Sequence, residues 1–316
     1  MQSQPQPQLA AMLRGQMFEG FLLVKAAEQR TSSNGGKYLD MTLADRSGEV
    51  NAKMWDGAAA APKALSVVKV RGMMLEYNNR AQLRVDKMRL PEEKDPVDMN
   101  LLIPCAPEPP EVMREALYSR AREIQDQGLR QLVLARLDAA GDRLNYYPAA
   151  QKLHHAERSG LLHHTSTMLR AAAAICAIYP DLDADLLAAG VILHDLCKIT
   201  ELSANEVGLA SEYTLEGQLL GHLVQGVAEL SRTGQELGVD PELLLMLEHM
   251  ILSHHDLPEF GSPKRPMFPE AEVLHTLDLL DARMFEMSHA LSAVQPGHFT
   301  ERIWSLERRL YRRKNR

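Results

Sequence analysis

The chain has 316 residues, 45% of them apolar, and its 35 Lys+Arg, 42 Asp+Glu and 12 His give a formal net charge of −7. This length and apolar content are enough for two domains, each with its own core. The three cysteines, Cys105, Cys176 and Cys197, are far apart and form no CxxC pair, which excludes a disulfide framework or a cysteine zinc finger and favours a reducing cytoplasm. No apolar run approaches the roughly 18 residues of a membrane span, and the first residues lack a basic segment followed by an apolar one, so neither a membrane span nor a secretory signal is expected.

The charge is distributed unevenly along the chain. Residues 1–100 carry 14 basic and 12 acidic side chains, residues 101–300 carry 14 and 28, and residues 301–316 carry 7 and 2. The basic ends are compatible with a polyanionic partner despite the negative total. The acidic middle fits either a metal-binding centre or a solvated acidic surface.

The first part of the chain predicts a small β-barrel. Residues 1–9 are rich in Gln and Pro, and we assign residues 1–12 to a flexible N-terminal arm. Within residues 13–92, about five short stretches that alternate apolar and polar residues are separated by turn-forming segments such as SSNGG and ADRSGE. This pattern favours an OB-fold barrel, with an SH3-like barrel as the alternative that strand count alone does not exclude.

The second part of the chain predicts helices. Residues 93–112 contain clustered prolines and acids and read as an interdomain linker. Residues 113–316 show apolar residues at i, i+3 and i+4 almost to the end, and Asp183 and the Asp240-Pro241 pair are typical helix starts. The predicted fold class is therefore an N-terminal OB-fold barrel followed by an all-helical domain.

Several of these helices carry histidine or aspartate on the faces that are expected to turn inward. A buried cluster of imidazoles and carboxylates is costly unless it is satisfied, and a divalent cation satisfies it by accepting lone pairs. Ligands of nitrogen and oxygen favour Mn, Fe, Ni, Co or Zn over calcium. Taken singly, each residue fits a hydrogen-bonded core position or a surface position better than a ligand position, so their combination carries the prediction. The candidates are His164, His194, Asp195, Lys198, His222, His254, His255, Asp278 and Asp281.

The order of these residues, H…HD…H…HH…D, resembles the HD superfamily of metal-dependent phosphohydrolases. The segment His194-Asp195-Leu-Cys-Lys198 resembles the HDxxK form of its doublet, with Cys197 where related sequences usually have glycine; little effect is expected, because Cys197 should face away from His194 on a helix. Nearly the whole chain resembles the YhaM family of bacterial 3′–5′ exoribonucleases, which joins an OB-fold domain to an HD domain. The segments that carry this resemblance are GLLHHTSTML, AAGVILHDLCKITEL, YTLEGQLLGH, LSHHDLPEFGSPKRP, LHTLDLLDARM and PGHFTERIW.

The resemblance implies roles for individual residues. One metal ion would be bound by His164, His194, Asp195 and Asp278, with the adjacent His163 as the alternative to His164. Asp195 would bridge to a second ion, bound by His222, His254 and His255. The expected cofactor is therefore a pair of divalent transition-metal ions, manganese first, with iron, cobalt or nickel as alternatives.

Two further residues near this set have open roles. Lys198 shares a helix face with His194 and is expected to act with Asp195 in catalysis by donating to a phosphate oxygen; the alternative is a surface lysine near a helix end. Asp281 lies one turn after Asp278 and would either orient a ligand histidine or lie on the helix surface.

The barrel segment has the composition of a single-strand binding surface. Residues 50–90 contain 8 Lys+Arg against 3 Asp+Glu, and nucleic-acid contacts are expected from basic and aromatic side chains together. Trp55 is nevertheless expected in the barrel core rather than at a stacking position. Two cations of the GSPKRP loop (261–266) either bind substrate phosphates or lie on an exposed turn, and the basic C-terminal residues 307–316 either contact RNA or form a solvated helix end. The candidate nucleic-acid contacts are Lys53, Trp55, Tyr77, Arg80, Arg84, Lys264 and Arg265.

Three functions are compatible with these patterns. The first, with polarity and RNA preference implied by the resemblance alone, is a cytoplasmic metal-dependent 3′–5′ exoribonuclease that degrades single-stranded RNA, and DNA as a second polymer, to nucleoside monophosphates. The second is an HD-type phosphodiesterase or nucleotidase acting on a small nucleotide such as a cyclic dinucleotide. The third is a nucleic-acid-binding protein with a degenerate domain. No membrane partner is expected, and self-association into a homo-oligomer is left open.

Overall fold

The computed structural model describes residues 6–56, 60–78 and 80–314, and its chain divides into two compact units between Cys105 and Ala106. The first unit is built around five strands that form a closed barrel. Their bounds are β1 Met17–Thr31, β2 Lys37–Asp45, β3 Gly48–Met54, β4 Val67–Tyr77 and β5 Arg80–Arg89.

The strand order establishes the barrel type. Around the barrel the order is β1-β2-β3-β5-β4, with β1 pairing antiparallel to both β2 and β4. β3 and β5 are parallel and close the barrel through Asn51–Gln82, Ala52–Leu83 and Lys53–Arg84. This is the five-stranded Greek-key connectivity of the OB fold, and it confirms the predicted fold over the SH3-like alternative.

The barrel core is apolar because successive strand residues point to opposite faces. In β3, for example, Val50, Ala52 and Met54 are buried, while the intervening residues are more exposed. The inward side chains from all five strands form one cluster that includes Phe18, Leu22, Leu39 and Leu83. Polar side chains are therefore left on the outside of the barrel, where a ligand can reach them.

Segments on both sides of the strands pack against this unit. The first five residues of the predicted flexible arm lie outside the described residues, but Leu9 is buried, and its backbone N–H donates to Asp45 at 2.7 Å. In the predicted linker, Asp95 accepts hydrogen bonds from Arg89, and Ile103 is buried. The described part of the arm and the predicted linker as far as Cys105 thus belong to the barrel unit.

The second unit is a helical bundle around one large apolar cluster. Two helices start where the sequence predicts: Asp183 caps one by accepting from Asp185 and Leu186, and Asp240 caps another in the same way. The helices are α1 Pro110–Glu123, α2 Gln127–Ala140, α3 Gly160–Ile178, α4 Ala184–Leu193, α5 Lys198–Glu201, α6 Leu215–Leu237, α7 Pro241–Ser253 and α8 Pro269–Ser292.

Two parts of the helical unit differ from the sequence prediction. A small hairpin, β6 Leu202–Ala204 and β7 Ala210–Tyr213, lies between α5 and α6. The C-terminal residues are not a helix end: between Ala293 and Lys314 the described chain folds back on itself, with Phe299 bridged to Tyr311. Among the described residues, no helix combines the length and apolar character that crossing a membrane requires.

Candidate metal centre

Seven of the predicted residues converge inside the helical unit. α3 supplies His164, and α4 ends at Leu193, so that His194 and Asp195 lie on the turn that follows rather than within the helix as predicted. The others come from α6 (His222), from the end of α7 (His254 and His255) and from α8 (Asp278). Overlapping groups of these residues each hold their ligand atoms within 4.8 Å of one another.

Asp195 lies at the centre, and its two oxygens face different partners. Oδ2 lies 3.3 Å from His194 Nε2 and 3.6 Å from His164 Nε2. Oδ1 lies 3.4 Å from His222 Nε2 and 3.8 Å from His254 Nε2. The carboxylate is 2% exposed, and each of its oxygens can therefore serve a separate cation.

The imidazole rings are oriented by hydrogen bonds at Nδ1, on the side away from Asp195. Because a backbone carbonyl can only accept, each Nδ1 that faces one carries the proton, and the Nε2 lone pair is left for a metal. Three rings are held this way: His194 by Val191 at 2.9 Å, His254 by Ile251 at 2.8 Å and His255 by Phe260 at 2.8 Å.

Carboxylates hold the other two rings. Asp281 Oδ2 lies 2.8 Å from His164 Nδ1, and Glu201 Oε1 lies 3.0 Å from His222 Nδ1. Asp281 therefore contacts a ligand histidine, which is the first of the two roles that its sequence position allows. Glu201 was missed, because nothing in its spacing from His222 indicates that the two side chains meet.

The meeting of Glu201 and His222 depends on a break in α6. Gly221 has φ +69° and ψ 166°, which is not helical and strains any residue with a side chain. The break releases the backbone N–H of His222 to donate to Glu201 Oε1 at 3.0 Å. A Cβ on Gly217 would lie 2.2 Å from the carbonyl oxygen of Glu201, so glycine is required there for close approach. The GQLLGH segment therefore sets the position of His222.

The residues present fit a divalent cation. Asp195 Oδ1, His222 Nε2 and His254 Nε2 are buried, face one another and have no hydrogen-bond partner within the described chain. Leaving such groups unpaired costs about 1–3 kcal/mol each, and more for a charged group. Three convergent lone pairs without a donor are the arrangement that a metal ion satisfies.

The electrostatics of the cluster favour the ligand forms of Asp195 and His254 and the protonated form of His164. Burial would raise the pKa of Asp195, but Lys198 and His194 outweigh it and hold that pKa well below its usual value. Burial and His255 hold the pKa of His254 well below its usual value, which keeps the ring neutral. The pKa of His164 rises to about 9, because hydrogen bonds with Asp278 and Asp281 outweigh the effect of burial. The His164 side of the cluster thus favours positive charge.

Lys198 is buried, in contrast to the surface position considered as its alternative. Its Nζ lies 2.7 Å from Asp195 Oδ2, and it lines a cavity of about 650 Å³ next to the cluster. Burial opposes its charge, but Asp195 outweighs burial and raises the pKa of the ammonium group, so Lys198 is a cation at neutral pH.

A second polar network lies behind His164 and includes residues that sequence reasoning missed. Asp281 Oδ2 also lies 2.7 Å from Nε2 of the buried His155. His155 Nδ1 lies 3.2 Å from His163 Nδ1, which lies 2.7 Å from Glu157 Oε1. The structure thus places His164, not His163, beside Asp195, and His163 belongs to the network that surrounds Asp281.

The cavity next to the cluster has both polar and apolar walls. Its lining includes His222, His254, Asp278 and His154, the last of which the sequence analysis did not single out. Burial, reinforced by Lys198, lowers the pKa of His154 to about 4, so this ring is neutral near pH 7. A volume of about 650 Å³ lies in the range of small-ligand sites.

The two basic residues of the GSPKRP loop are not brought to the cluster. Lys264 and Arg265 are exposed, and neither is among the described residues that line the cavity. Arg265 Nε instead lies 3.7 Å from Asp256 Oδ1. These positions agree with the exposed-turn alternative.

The predicted barrel contacts form one surface patch. Trp55 is 59% exposed, which makes its expected core position wrong: it follows the last residue of β3 and stacks on Tyr38 with ring centroids 4.6 Å apart. Lys53 Nζ lies 5.2 Å from the Tyr38 ring centroid and 5.9 Å from that of Tyr77.

Strand pairing adds two cations to this patch. Arg84 is the partner of Lys53 across the β3–β5 pair, and Arg80 is the partner of Tyr77 across β4–β5. Tyr38 is the one member that the sequence analysis did not name. We call Tyr38, Lys53, Trp55, Tyr77, Arg80 and Arg84 the aromatic-basic patch.

Comparison with known families bears on the helical unit. The HD domain family model matches residues 161–283. The matched range spans every member of the central cluster from His164 to Asp278 and also Lys198. An HD domain with this buried histidine and aspartate cluster indicates a metal-dependent phosphohydrolase.

Comparison with solved structures finds weak similarities. The second OB-fold domain of replication protein A from Methanococcus maripaludis is 15% identical, covering 29% of this chain and 98% of that one, with a TM-score of 0.24. A replication protein A heterotrimer bound to single-stranded DNA is 17% identical over 29% of this chain and 72% of that one, with a TM-score of 0.22. The OB fold of the barrel is established by its own strand pairing rather than by these matches.

Proposed function

We propose that this chain is a metal-dependent 3′–5′ exoribonuclease that hydrolyses the phosphodiester bonds of single-stranded RNA to nucleoside monophosphates. The observation that carries the proposal is the Asp195 carboxylate, whose two oxygens face separate sets of histidines beside a cavity. The aromatic-basic patch supports a single-stranded polymer as the substrate. Polarity and RNA preference rest on the resemblance to the YhaM family.

Two divalent transition-metal ions, manganese first, would share Asp195. His164, His194 and Asp195 Oδ2 would hold one ion together with Asp278, whose Oδ1 lies 3.4 Å from His164 Nε2. Asp195 Oδ1, His222, His254 and His255 would hold the other. When bound, such a pair would acidify a water molecule and offset the charge that develops on the phosphate. The orphaned Asp195 Oδ1, His222 Nε2 and His254 Nε2 atoms support the second of these sites.

The protein's own groups position the substrate and supply fixed charge. Lys198 reaches the cavity as a cation and would donate to a phosphate oxygen, where its charge counts for more than at an exposed position because it is buried. Asp281 and Glu201 hold His164 and His222 in place through Nδ1. Burial keeps most water away from the cluster, which strengthens each of these interactions.

The barrel would retain the polymer between cleavage events. Base stacking on aromatic side chains is worth about 1–3 kcal/mol per base and tolerates any sequence. In the aromatic-basic patch, an exposed indole and phenol lie among three cations, so bases and phosphates can be bound together.

The test is a product assay on RNA labelled at its 5′ end, with Mn²⁺ and with each alternative metal. A 3′–5′ exonuclease gives a ladder that shortens progressively, and the Asp195→Ala protein gives none. The proposal is wrong if the metal-loaded wild-type protein leaves labelled RNA intact. It is also wrong if the Asp195→Ala protein is as active as the wild type. The same assay on DNA measures the polymer preference.

The second candidate is a phosphodiesterase of a small nucleotide, and the cavity favours it. A cavity of about 650 Å³ is large enough for a nucleotide. A substrate of that size would not need the barrel for binding. The two candidates differ in the role of the barrel. Replacing Tyr38 and Trp55 by alanine should slow degradation of long RNA and leave hydrolysis of bis(p-nitrophenyl) phosphate unchanged if the first candidate is correct. An unchanged rate on RNA favours the second.

A further inference from the structure

The described chain after α8 folds into a compact structure that we call the C-terminal hook, residues 297–312. Gly297 donates its backbone N–H to Arg312, and Thr300 donates its own to Leu310 at 2.8 Å. The side chains of Thr300 and Leu310 are buried, and the Thr300 hydroxyl also accepts from the backbone N–H of Leu310. The hook is therefore held by its own hydrogen bonds and core.

Arg312 fixes the hook to the end of α8. Its guanidinium donates to the backbone carbonyls of Leu291, Ser292 and Val294. Two of these carbonyls belong to the last turn of α8 and the third lies just after it, so one arginine anchors the hook to this helix end. The position of the hook on the helical unit is consequently set by α8, which also carries Asp278.

The tip of the hook lies at the metal-centre cavity. Ile303 pairs with Arg308, and Glu307 donates its backbone N–H to the Trp304 carbonyl at 3.2 Å, which closes a tight turn. Ser305 and Leu306, at the apex of this turn, line the cavity. The turn is thus part of the cavity wall.

Trp304 precedes these two wall residues and is 85% exposed, more than any other large apolar side chain in the described part of the chain. Core packing does not explain why a tryptophan occupies this position, because an indole this exposed buries little apolar surface. A tryptophan displayed on an anchored turn, next to a cavity, offers an open aromatic face at small cost in conformational entropy.

The hook and the two residues after it carry a net positive charge, which favours an anionic ligand. Arg302 and Arg308, exposed on either side of the tip, flank the turn. Residues 297–314 contain five arginines and one lysine against two glutamates. An aromatic face among cations, at the edge of a phosphohydrolase cavity, combines stacking with phosphate attraction.

We propose that Trp304 is a stacking site for a nucleobase of the substrate at the mouth of the cavity, with Arg302 and Arg308 facing the neighbouring phosphates. The inference rests on the proposed function in taking a nucleotide as the substrate. It adds to that function a base-binding contact on the helical unit, separate from the aromatic-basic patch. Every base has a face that stacks on indole, so this contact should not discriminate strongly between bases.

The direct test is fluorescence, because Trp55 and Trp304 are the two tryptophans of the chain. In a Trp55→Phe protein the indole emission comes from Trp304 alone. Titration with adenosine monophosphate in the presence of Mg²⁺ should quench this emission to saturation. Ribose 5-phosphate, which has the sugar and phosphate without the base, should not. Absence of quenching by the nucleotide, or equal quenching by both compounds, overturns the inference.

The second test is hydrolysis of single-stranded RNA. Trp304→Ala should lower kcat/KM about 5- to 150-fold, the range for one stacked base, and Trp304→Phe should restore much of the loss. Tyr179→Ala is the matched control, since Tyr179 is 59% exposed and does not line the cavity among the described residues. The melting temperature of Trp304→Ala should equal that of the wild type; a large fall would show a structural role and overturn the inference.

Failure of the two proposals is distinguishable. A wild-type protein that leaves RNA and small phosphodiesters intact with every metal contradicts the proposed function, while the fluorescence titration still decides whether Trp304 binds a base. An active enzyme with an unresponsive Trp304 contradicts the stacking site alone. In that case the exposed indole is open to a different partner, such as another protein.

Discussion

The two units of the molecule place their polar groups in opposite ways. Among the described residues of the barrel unit, Asp45 is the single polar or charged residue that is buried as a whole, and it accepts backbone N–H groups from Leu9 and Ser47. The helical unit instead buries a connected set of histidines and carboxylates around Asp195. The barrel thus has an apolar interior and a binding surface outside, whereas the helical unit carries its chemistry inside.

This difference follows from the geometry of the elements. A strand exposes every second residue, so a small barrel can fill its interior with apolar side chains and keep its cations and aromatic rings at the surface. A helix in a bundle turns one stripe inward, and polar residues on the stripes of α3, α6 and α8 meet those that follow the ends of α4 and α7. Such a meeting is tolerated because each ring nitrogen or oxygen is either hydrogen-bonded or aimed at a common centre.

The largest expected effect tests the interior chemistry. Asp195→Asn removes the carboxylate that both sets of histidines face, and we expect hydrolysis to fall on the order of 10³-fold. Metal content measured by mass spectrometry on the purified protein should fall with it. Asp240→Asn is the control, because Asp240 caps α7 away from the cluster. Full metal content and activity in Asp195→Asn would show that the buried cluster around Asp195 is not where the helical unit carries out its chemistry.

A smaller effect is expected from the groups that orient the rings. Glu201→Gln weakens the carboxylate contact with His222 Nδ1, and loss of such a partner typically lowers metal affinity or activity 10–100-fold. Glu212→Gln, at an exposed position on β7, is the matched control. Metal titration followed by calorimetry measures the change, and equal affinities in the two variants would contradict the role of Glu201.

Removal of the exposed indole from the barrel surface should change the KM for RNA about tenfold. Trp55→Ala should raise the KM for long single-stranded RNA by that factor, near the low end of the range for one stacked base, because Tyr38 already covers one face of the indole. The rate on bis(p-nitrophenyl) phosphate should be unchanged. A drop in both rates would mean that the substitution acts through the fold.

The smallest effect concerns the stability of the barrel and its pH dependence. Hydrogen bonds from Arg89 and from the backbone of Glu92 lower the pKa of Asp95 below its usual value of 3.8. A carboxylate with a depressed pKa stabilises the folded state above its unfolded pKa, and this contribution is lost as the pH falls below about 4. Asp95→Asn should therefore lower the melting temperature at pH 7, and the difference should shrink at pH 3. A difference that stays constant with pH would show that the ion pair is not responsible.

Sequence reasoning succeeded where the pattern is periodic or local. The alternation in β1–β5 predicted the barrel, and the caps at Asp183 and Asp240 predicted two helix starts. His164, His222 and Asp278 lie on α3, α6 and α8 as the periodicity predicts, whereas the other members of the cluster follow helix ends. These features depend on neighbours within a few residues or on one face of one element.

Sequence reasoning failed where long-range folding decides. The contact of Glu201 with His222 needs the break at Gly221 and the close approach at Gly217. Trp55 looks like a core residue by type, but it follows the last residue of β3 and stacks outside on Tyr38. The C-terminal arginines lie on a helix-like pattern, yet Arg312 folds the chain back onto the end of α8.

The central claim is that Asp195 is shared by two cations, and anomalous scattering from crystals grown with Mn²⁺ tests it most directly. We predict two anomalous peaks on either side of this carboxylate, about 3.5–4 Å apart, one within reach of His164 and His194 and the other within reach of His222 and His254. A single manganese peak at Asp195, or manganese peaks that all lie elsewhere, would contradict the account.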